Sequence, residues 1–253
     1  MAGRPATLIT GASAGLGAEF ARQCAARGEA LVLVARRRDR LEALKAVLPG
    51  EVAIFAADLA LPGAAADLVR RVEAEGLTVA TLINNAGFGL SGRFAQQPPE
   101  RQSEMIALNI AALTELCRAV LPGMRARGQG GILNVASTAA FQPGPNMAVY
   151  YASKAYVLSL TEALHQELKG TRIKVSALCP GPTATEFFDV AHVTGMLPRM
   201  ATDPVAVVRK GLRGLDRNRA VTVPGFGNKA MSQSHRFMPR GAMRRIMARI
   251  KTE

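Results

Sequence analysis

Short apolar, β-prone runs alternate with longer helical stripes along this chain. ATLIT (6–10), ALVLVA (30–35), VAIFAAD (52–58), VATLINNAG (79–87), GILNVAS (131–137) and IKVSALCPG (173–181) read as strands. Between them, LGAEFARQCAARG (16–28), DRLEALKAVLPG (39–50) and AAADLVRRVEAEG (64–76) read as helices, followed by a long helical pattern over roughly 99–126 and another from about 148 to 169. Asp39 is placed to cap the second helix, and Pro49-Gly50 to stop it. Strands that are near-continuous apolar runs are buried on both faces. Their alternation with helices makes them parallel, with right-handed crossovers. The expected fold class is α/β, a doubly wound parallel β-sheet with helices on both faces. Ligands of such a sheet bind beyond the carboxyl ends of its strands.

At 253 residues and 49% apolar, the chain can bury one substantial core, and no linker, repeat or low-complexity tract divides it. The N-terminal stretch has no apolar leader with a cleavage site, and no apolar run reads as long enough to span a bilayer, so a cytoplasmic protein is expected. Cys24, Cys117 and Cys179 are scattered, as suits small buried residues rather than a disulfide framework. His165, His192 and His235 lie far apart and match no ligand spacing, so no metal is expected.

TGASAGLG (10–17) follows the first strand and opens the first helix. Gly11, Gly15 and Gly17 let the backbone turn tightly, and the helix N-terminus beyond them offers free N–H groups to a diphosphate. A turn that merely joins strand to helix would look the same; the strand-turn-helix context favours a dinucleotide site in a Rossmann-like domain. At the end of the second strand, where an acid suits the ribose hydroxyls of NAD, the chain reads VARRRD. Arg36 and Arg37 there suit the 2′-phosphate of NADP, with Ser13 as a helper, so NADP(H) is preferred over NAD(H). The plainer alternative is a solvated helix entrance whose arginines pair with Asp39 or Glu42.

TGASAGLG, NNAG (84–87), Asn109, Ser137, Tyr150-x-x-x-Lys154 and PGPTATEF (180–187) occur in this order. Together they resemble the short-chain dehydrogenase/reductase family in its single-domain form, strongly over residues 6 to about 187. The resemblance implies an oxidoreductase acting on a ketone or secondary alcohol, in a catalytic domain over residues 1–228. It also answers a question that helix geometry leaves open. Tyr150 and Tyr151 both lie within reach of Lys154 on a helix, but the family pattern selects Tyr150. By the same carry-over, Tyr150 exchanges the proton with the carbonyl oxygen, and Ser137 hydrogen-bonds that oxygen. Lys154 lowers the phenol's pKa and holds the nicotinamide ribose, and Asn109 holds a relay water. Gly11, Ser13, Gly15, Leu16, Gly17, Arg36, Arg37, Asp58, Asn85, Ala86, Gly87, Tyr150, Lys154, Pro180, Gly181, Thr183 and Thr185 are the implied cofactor contacts. Asn84 and Asn85 have an equal alternative role in tying strand ends together.

The segment 183–203 is the expected mobile cover of the substrate, with Phe187, Phe188, Met196, Leu197 and Met200 as its apolar lining and FQPGPNM (141–147) as the opposite wall. Ser137, Phe141, Met147, Tyr150, Phe187 and Phe188 are therefore candidate substrate contacts, and the substrate is expected to be apolar. Equally, these apolar residues could only pack the cover onto the body. A reductase of 3-oxoacyl thioesters is the alternative among enzymes. A non-catalytic NADP-binding or membrane-surface protein is the alternative outside them.

The net charge is +13, and seven basic residues against one acid fall between Lys229 and Glu253. In that extension, 229–253, Met243, Ile246, Met247 and Ile250 repeat at helical spacing, with Arg244, Arg245 and Arg249 mainly off the stripe. Packing on the body, on the cover or on another subunit is the first reading of this basic amphipathic helix. Weak contact with an anionic membrane is the second. Nucleic acid is not expected, because no recognised fold or aromatic platform accompanies the charge. The resemblance implies a homodimer or homotetramer.

Overall fold

The apolar runs pair into one parallel sheet. A computed structural model describes residues 3–191, 201–234 and 237–250. Its strands are β1 (Arg4–Thr10), β2 (Leu31–Ala35), β3 (Val52–Ala56), β4 (Leu77–Asn84), β5 (Gln129–Val135), β6 (Arg172–Leu178) and β7 (Val221–Thr222), in the order β3-β2-β1-β4-β5-β6-β7. Helices α1 (Gly15–Ala25), α2 (Arg38–Val47), α3 (Ala64–Ala74), α4 (Pro99–Ile106), α5 (Leu113–Arg127), α6 (Ala148–Glu167), α7 (Phe187–Val190), α8 (Pro204–Asp216), α9 (Phe226–Ser234) and α10 (Arg240–Ile250) surround it.

Successive strand residues point to opposite faces, and here both faces are apolar. Ile9, Leu33, Ile83 and Leu133 pack on one side against Phe20 and Cys24 of α1, Leu41 of α2, and Val208 and Leu212 of α8. Their neighbours Leu8, Val32, Leu82 and Ile132 pack on the other against Leu68 of α3, Leu116 and Val120 of α5, and Val157 of α6. Each such side chain contributes about 1.5–3 kcal/mol by leaving water. This double burial explains why β2, LVLVA, is apolar at every position.

Several details differ from the sequence reading. Asp39 lies in the first turn of α2 rather than at its cap, which is Arg37. The segment 204–222 carries α8 and β7, whose signals are clear in hindsight. Asp203 caps α8 by accepting hydrogen bonds from Val205 N (3.0 Å) and Ala206 N (3.4 Å), and Pro204 sits in the first turn. The pattern over 99–126 forms one helix of 29 residues, Pro99–Arg127, interrupted only by a π-helical turn at Ala107–Ala112. By length and composition that helix could cross a membrane, which corrects the expectation drawn from apolar runs. Its Met105, Leu113, Leu116, Val120 and Met124 are instead buried in this fold.

The basic extension folds back over the body. Met243 and Met247 of α10 are buried in a third cluster with Phe88, Leu90, Met105, Met147, Tyr150 and Tyr151, above the carboxyl edge of the sheet. Covered in this way, the centre of the stripe gives no support to membrane contact. Residue 228 lies inside α9, where Asn228 Nδ2 donates to Pro224 O (2.9 Å). Met196, Leu197, Met200, His192 and His235 lie outside the described residues.

A buried polar chain pins α6 to the sheet. Asn84 and Asn134 face each other across β4 and β5, with Asn84 Nδ2 donating to Asn134 Oδ1 (2.9 Å). Asn134 Nδ2 donates to Thr161 Oγ1 (3.0 Å), which in turn donates to Val157 O (2.6 Å). Thr161→Val keeps the shape but strips a buried amide of its acceptor, so it should lower stability by about 1–3 kcal/mol. Urea unfolding measures this, and an unchanged midpoint would show that the pin contributes nothing.

Candidate active site

The chain order of the sheet reverses between β1 and β4, and there the carboxyl ends of the strands leave a crevice. The glycine turn lies on one side of it. Gly17 packs so tightly that a Cβ would stand 2.1 Å from Gly11 O, and Gly11 itself takes a φ of 65°, which favours glycine. α1 begins with no side-chain cap and no acid in its first turn, leaving its first N–H groups unanswered by such a cap. Leu16, in the first turn of α1, is half-buried and packs on the core. Asn85 ties strand ends together: its Nδ2 donates to Thr10 O (2.9 Å) and Gly11 O (3.3 Å). Thr10 Oγ1 accepts from Asn85 N and Ala86 N. Asn84 belongs to the buried pin.

At the end of β2 the arginines form a cluster. Arg37 Nη2 donates to Ser13 Oγ (3.1 Å) on the glycine turn. Arg36 reaches Glu104 (2.9 Å) and lies 4.0 Å from Asp58, whose Oδ1 accepts from Ala60 N (3.0 Å). Arg38 alone of the three pairs with Glu42 (3.5 Å). The sequence reading passed over Arg40 and Glu186. Arg40 bonds Glu186 at 2.6 Å, and Arg37 reaches the same carboxylate at 3.4 Å. The three-residue spacing of Arg37 and Arg40 at a helix start was the available signal for Arg40. Glu186 had none, because its contact spans 146 positions.

On the other side of the crevice lie Ser137, just beyond β5, and Tyr150 and Lys154, one turn apart on α6. Ser137 Oγ accepts from Ala139 N (3.1 Å) and donates to Pro180 O (3.4 Å), with the Tyr150 phenol close by. Lys154 Nζ donates to Val135 O (2.8 Å) and stands 5.8 Å from the centre of the Tyr150 ring. Burial pushes the phenol up to about 12, against the pull of the Ser137 hydrogen bond. Burial also draws Lys154 down to about 8, opposed by the nearby Cys179. Without a cofactor, burial outweighs any acidification of Tyr150. Desolvation dominates, and the ammonium is turned onto a carbonyl.

Asn109 lies in the π-helical turn, a feature frequent at functional sites. Its Nδ2 donates to Phe88 O (2.9 Å) and Ser153 Oγ (3.1 Å), and its Oδ1 accepts from Phe88 N (3.1 Å). Its side chain thus braces the loop after Gly87 against α6. Of the expected substrate contacts, Met147 is buried in the third cluster, and the Phe187 ring lies 5.2 Å from that of Tyr150. Phe188 meets Phe187 edge-on at 6.1 Å. Phe141 packs instead against the core on the α6 side. Thr185 sits over Gly15, Thr183 Oγ1 donates to Gly181 O (3.0 Å), and Asn228 fills the space above Gly181. Pro180 O also accepts from Thr138 N (2.8 Å).

Comparison with known proteins fits this geometry. Residues 5–192 match the family model described as short chain dehydrogenase. A sulfoacetaldehyde reductase from Chromohalobacter salexigens is 41% identical over 185 residues, covering 71% of this chain and 72% of the relative. A short-chain dehydrogenase from Sphingobium yanoikuyae, solved in complex with NADPH, is 38% identical with a TM-score of 0.83, over 96% of this chain and 95% of that one. A bulky-bulky ketone specific alcohol dehydrogenase from Comamonas testosteroni is 33% identical with a TM-score of 0.77, over 92% of both chains.

The buried lysine makes a pH prediction. Folded Lys154 titrates near 8, and an unfolded lysine near 10.4. Between those values the unfolded chain binds more protons, so this residue's contribution to stability rises with pH. Without cofactor, the unfolding free energy of the wild type relative to Lys154→Met should climb from pH 8 to pH 10 in urea titrations. A flat difference would show that Nζ is not desolvated.

Proposed function

The chain belongs to the short-chain dehydrogenase family of oxidoreductases, and from that premise we propose that it transfers hydride between NADP(H) and an apolar ketone or secondary alcohol. One observation carries the reading: the Tyr150 phenol, close to Ser137, stands beside buried Lys154 under an apolar cover of Met147, Phe187, Met243 and Met247.

The chain's own groups fit the cofactor. The uncapped start of α1 offers N–H donors to a diphosphate. Ser13, Arg37 and Arg40 present a hydroxyl and two guanidinium forks, which suit a phosphate better than a ribose diol. The NADPH held by the Sphingobium neighbour supports the same choice. Asp58, Asn85, Ala86 and Gly87 line the adenosine half, with Thr183 and Thr185 near the carboxamide.

When bound, the cofactor supplies the hydride. Tyr150 supplies the proton. The phenol is un-ionised at neutral pH and so carries the proton for a carbonyl oxygen that gains charge during reduction, although burial alone makes it a weaker acid. Ser137 donates a hydrogen bond to that oxygen. Lys154 exchanges Val135 O for the ribose hydroxyls, and its charge favours the phenolate as the proton leaves. Asn109 keeps Phe88 and Ser153 in place and holds the relay water. The side chains packed around the phenol in the third cluster are apolar or aromatic. That supports an apolar substrate, in line with the ketone named for the Comamonas neighbour, over a sulfonate. Ile106 and Tyr156 remain exposed on α4 and α6, which suits assembly as a homodimer or homotetramer.

A ketone panel followed at 340 nm with both cofactors tests the assignment. Bulky apolar ketones should turn over faster than small or sulfonated ones, with NADPH the better donor. The reverse order would overturn the substrate class. Tyr150→Phe should lower kcat/KM by about 10²–10⁴-fold with cofactor affinity unchanged, whereas Tyr151→Phe should be mild. A mild Tyr150→Phe would mean that another group moves the proton.

A further inference from the structure

The arginines assigned to the 2′-phosphate already hold an anion. Glu186 Oε1 accepts from Arg40 Nη1 at 2.6 Å, and Glu186 Oε2 from both Arg37 terminal nitrogens at 3.4 Å. Arg37 simultaneously donates to Ser13 on the glycine turn. One carboxylate thus receives two guanidinium forks at the place where a phosphate would receive them. The Arg40 hydrogen bond, with the charges of Arg40 and Arg37, holds the carboxyl below the usual glutamate range, so it is an anion at neutral pH.

The neighbours of Glu186 take up the rest of the crevice. Thr185 lies against Gly15 of the diphosphate turn, where a Cβ on Gly15 would stand 3.1 Å from Thr185 Cβ. Phe187 lies on the other side, its ring 5.2 Å from Tyr150 and packed against Gly89. Three consecutive residues therefore cover the diphosphate turn, the phosphate clamp and the catalytic phenol. The stretch is short and locally held: Phe187 N donates to Thr185 Oγ1 (3.3 Å), Ala184 N to Thr202 O (3.0 Å) and Ala191 N to Phe187 O (2.9 Å).

We propose that Glu186 is a resident carboxylate standing in for the 2′-phosphate on Arg37 and Arg40. The phosphate must displace it, and displacement releases Phe187 from Tyr150. The inference rests on the NADP reading above and adds a competitor to it. Two anions cannot share the same two guanidiniums without strong repulsion. A ligand lacking the 2′-phosphate has no claim on the clamp and leaves Glu186 in place. The cofactor's phosphate then both selects NADP(H) and uncovers the carbonyl site. A ligand shifts such an equilibrium only by its differential affinity for the two states, and here that difference is confined to one phosphate.

Adenosine 2′,5′-bisphosphate and AMP test this by calorimetry, without turnover. In Glu186→Gln the carboxylate's charge is gone and its size is kept. The bisphosphate should bind about 3- to 10-fold tighter than to wild type, the range of a partly exposed ion-pair competitor, and AMP should bind equally to both. If wild type prefers the bisphosphate and Glu186→Gln leaves its affinity unchanged, the competitor is refuted and the NADP reading survives. If neither protein prefers the bisphosphate, the NADP reading itself fails, and the competitor with it. Hydrogen exchange reads the release directly. The bisphosphate should speed exchange of the amides at 187 and 191 in wild type, AMP should not, and Glu186→Gln should exchange fast without ligand. Equal exchange in all cases would overturn the coupling to Phe187.

Discussion

A buried cation without a carboxylate partner governs this site. Lys154 is covered, its Nζ answers only to the Val135 carbonyl among the described contacts, and no described acid forms an ion pair with it. Burying an ammonium is costly unless it is paired, so the fold must supply the difference elsewhere. It does so through α6. Val157 and Leu158 anchor that helix in the core, and Thr161 locks it to Asn134. The lysine is therefore held where water cannot satisfy it, and ribose hydroxyls arriving at the crevice would find an underbonded donor. The same desolvation keeps the Tyr150 proton on its oxygen. A single cause, burial at the carboxyl edge of the sheet, thus moves both groups toward their neutral forms.

Dryness is itself constructed. α10 returns over the edge and seats Met243 and Met247 beside Tyr150, and Phe187 closes the remaining side. The flexible thioether side chains of methionine fill irregular gaps, which suits a cover that must re-form around ligands. On the adenosine side the environment is the opposite: guanidiniums and carboxylates, partly exposed, in alternating contact. The crevice therefore has an apolar end and an ionic end, with the residues 185–187 reaching both.

Much of this was legible in the chain. Continuous apolar strands implied a parallel sheet because both faces need covering, and the sheet appears with those runs as its strands. TGASAGLG showed its tight packing through spacing alone, since only glycine fits at Gly17. Proximity across sequence was less accessible. Nothing in PGPTATEF says that its glutamate will meet arginines on α2. Nothing in a helical apolar stripe distinguishes a membrane face from a lid over Tyr150. Phe141, read as a substrate wall, is half-buried and packs against the core, a contact no periodicity announces. The π-helical turn at Asn109 was invisible as well, since periodicity cannot register one extra residue. The burial of Tyr150 and Lys154 was hidden for a related reason. Sequence spacing gives the distance between two side chains, whereas desolvation depends on everything packed around them.

The asymmetry between the two tyrosines follows from the same packing. Tyr151 is as buried as Tyr150 and touches it edge-on at 6.0 Å. Helix position alone gives both a path to Lys154. What separates them is the direction each faces. Tyr151 is wedged over Gly144, where a Cβ would stand 2.2 Å from its ring, and so it is committed to the wall. Tyr150 lies against the Phe187 ring, with Lys154 Nζ 5.8 Å from its own ring centre. One residue step, about 100° around a helix, separates a side chain facing Lys154 and Phe187 from one wedged into the wall.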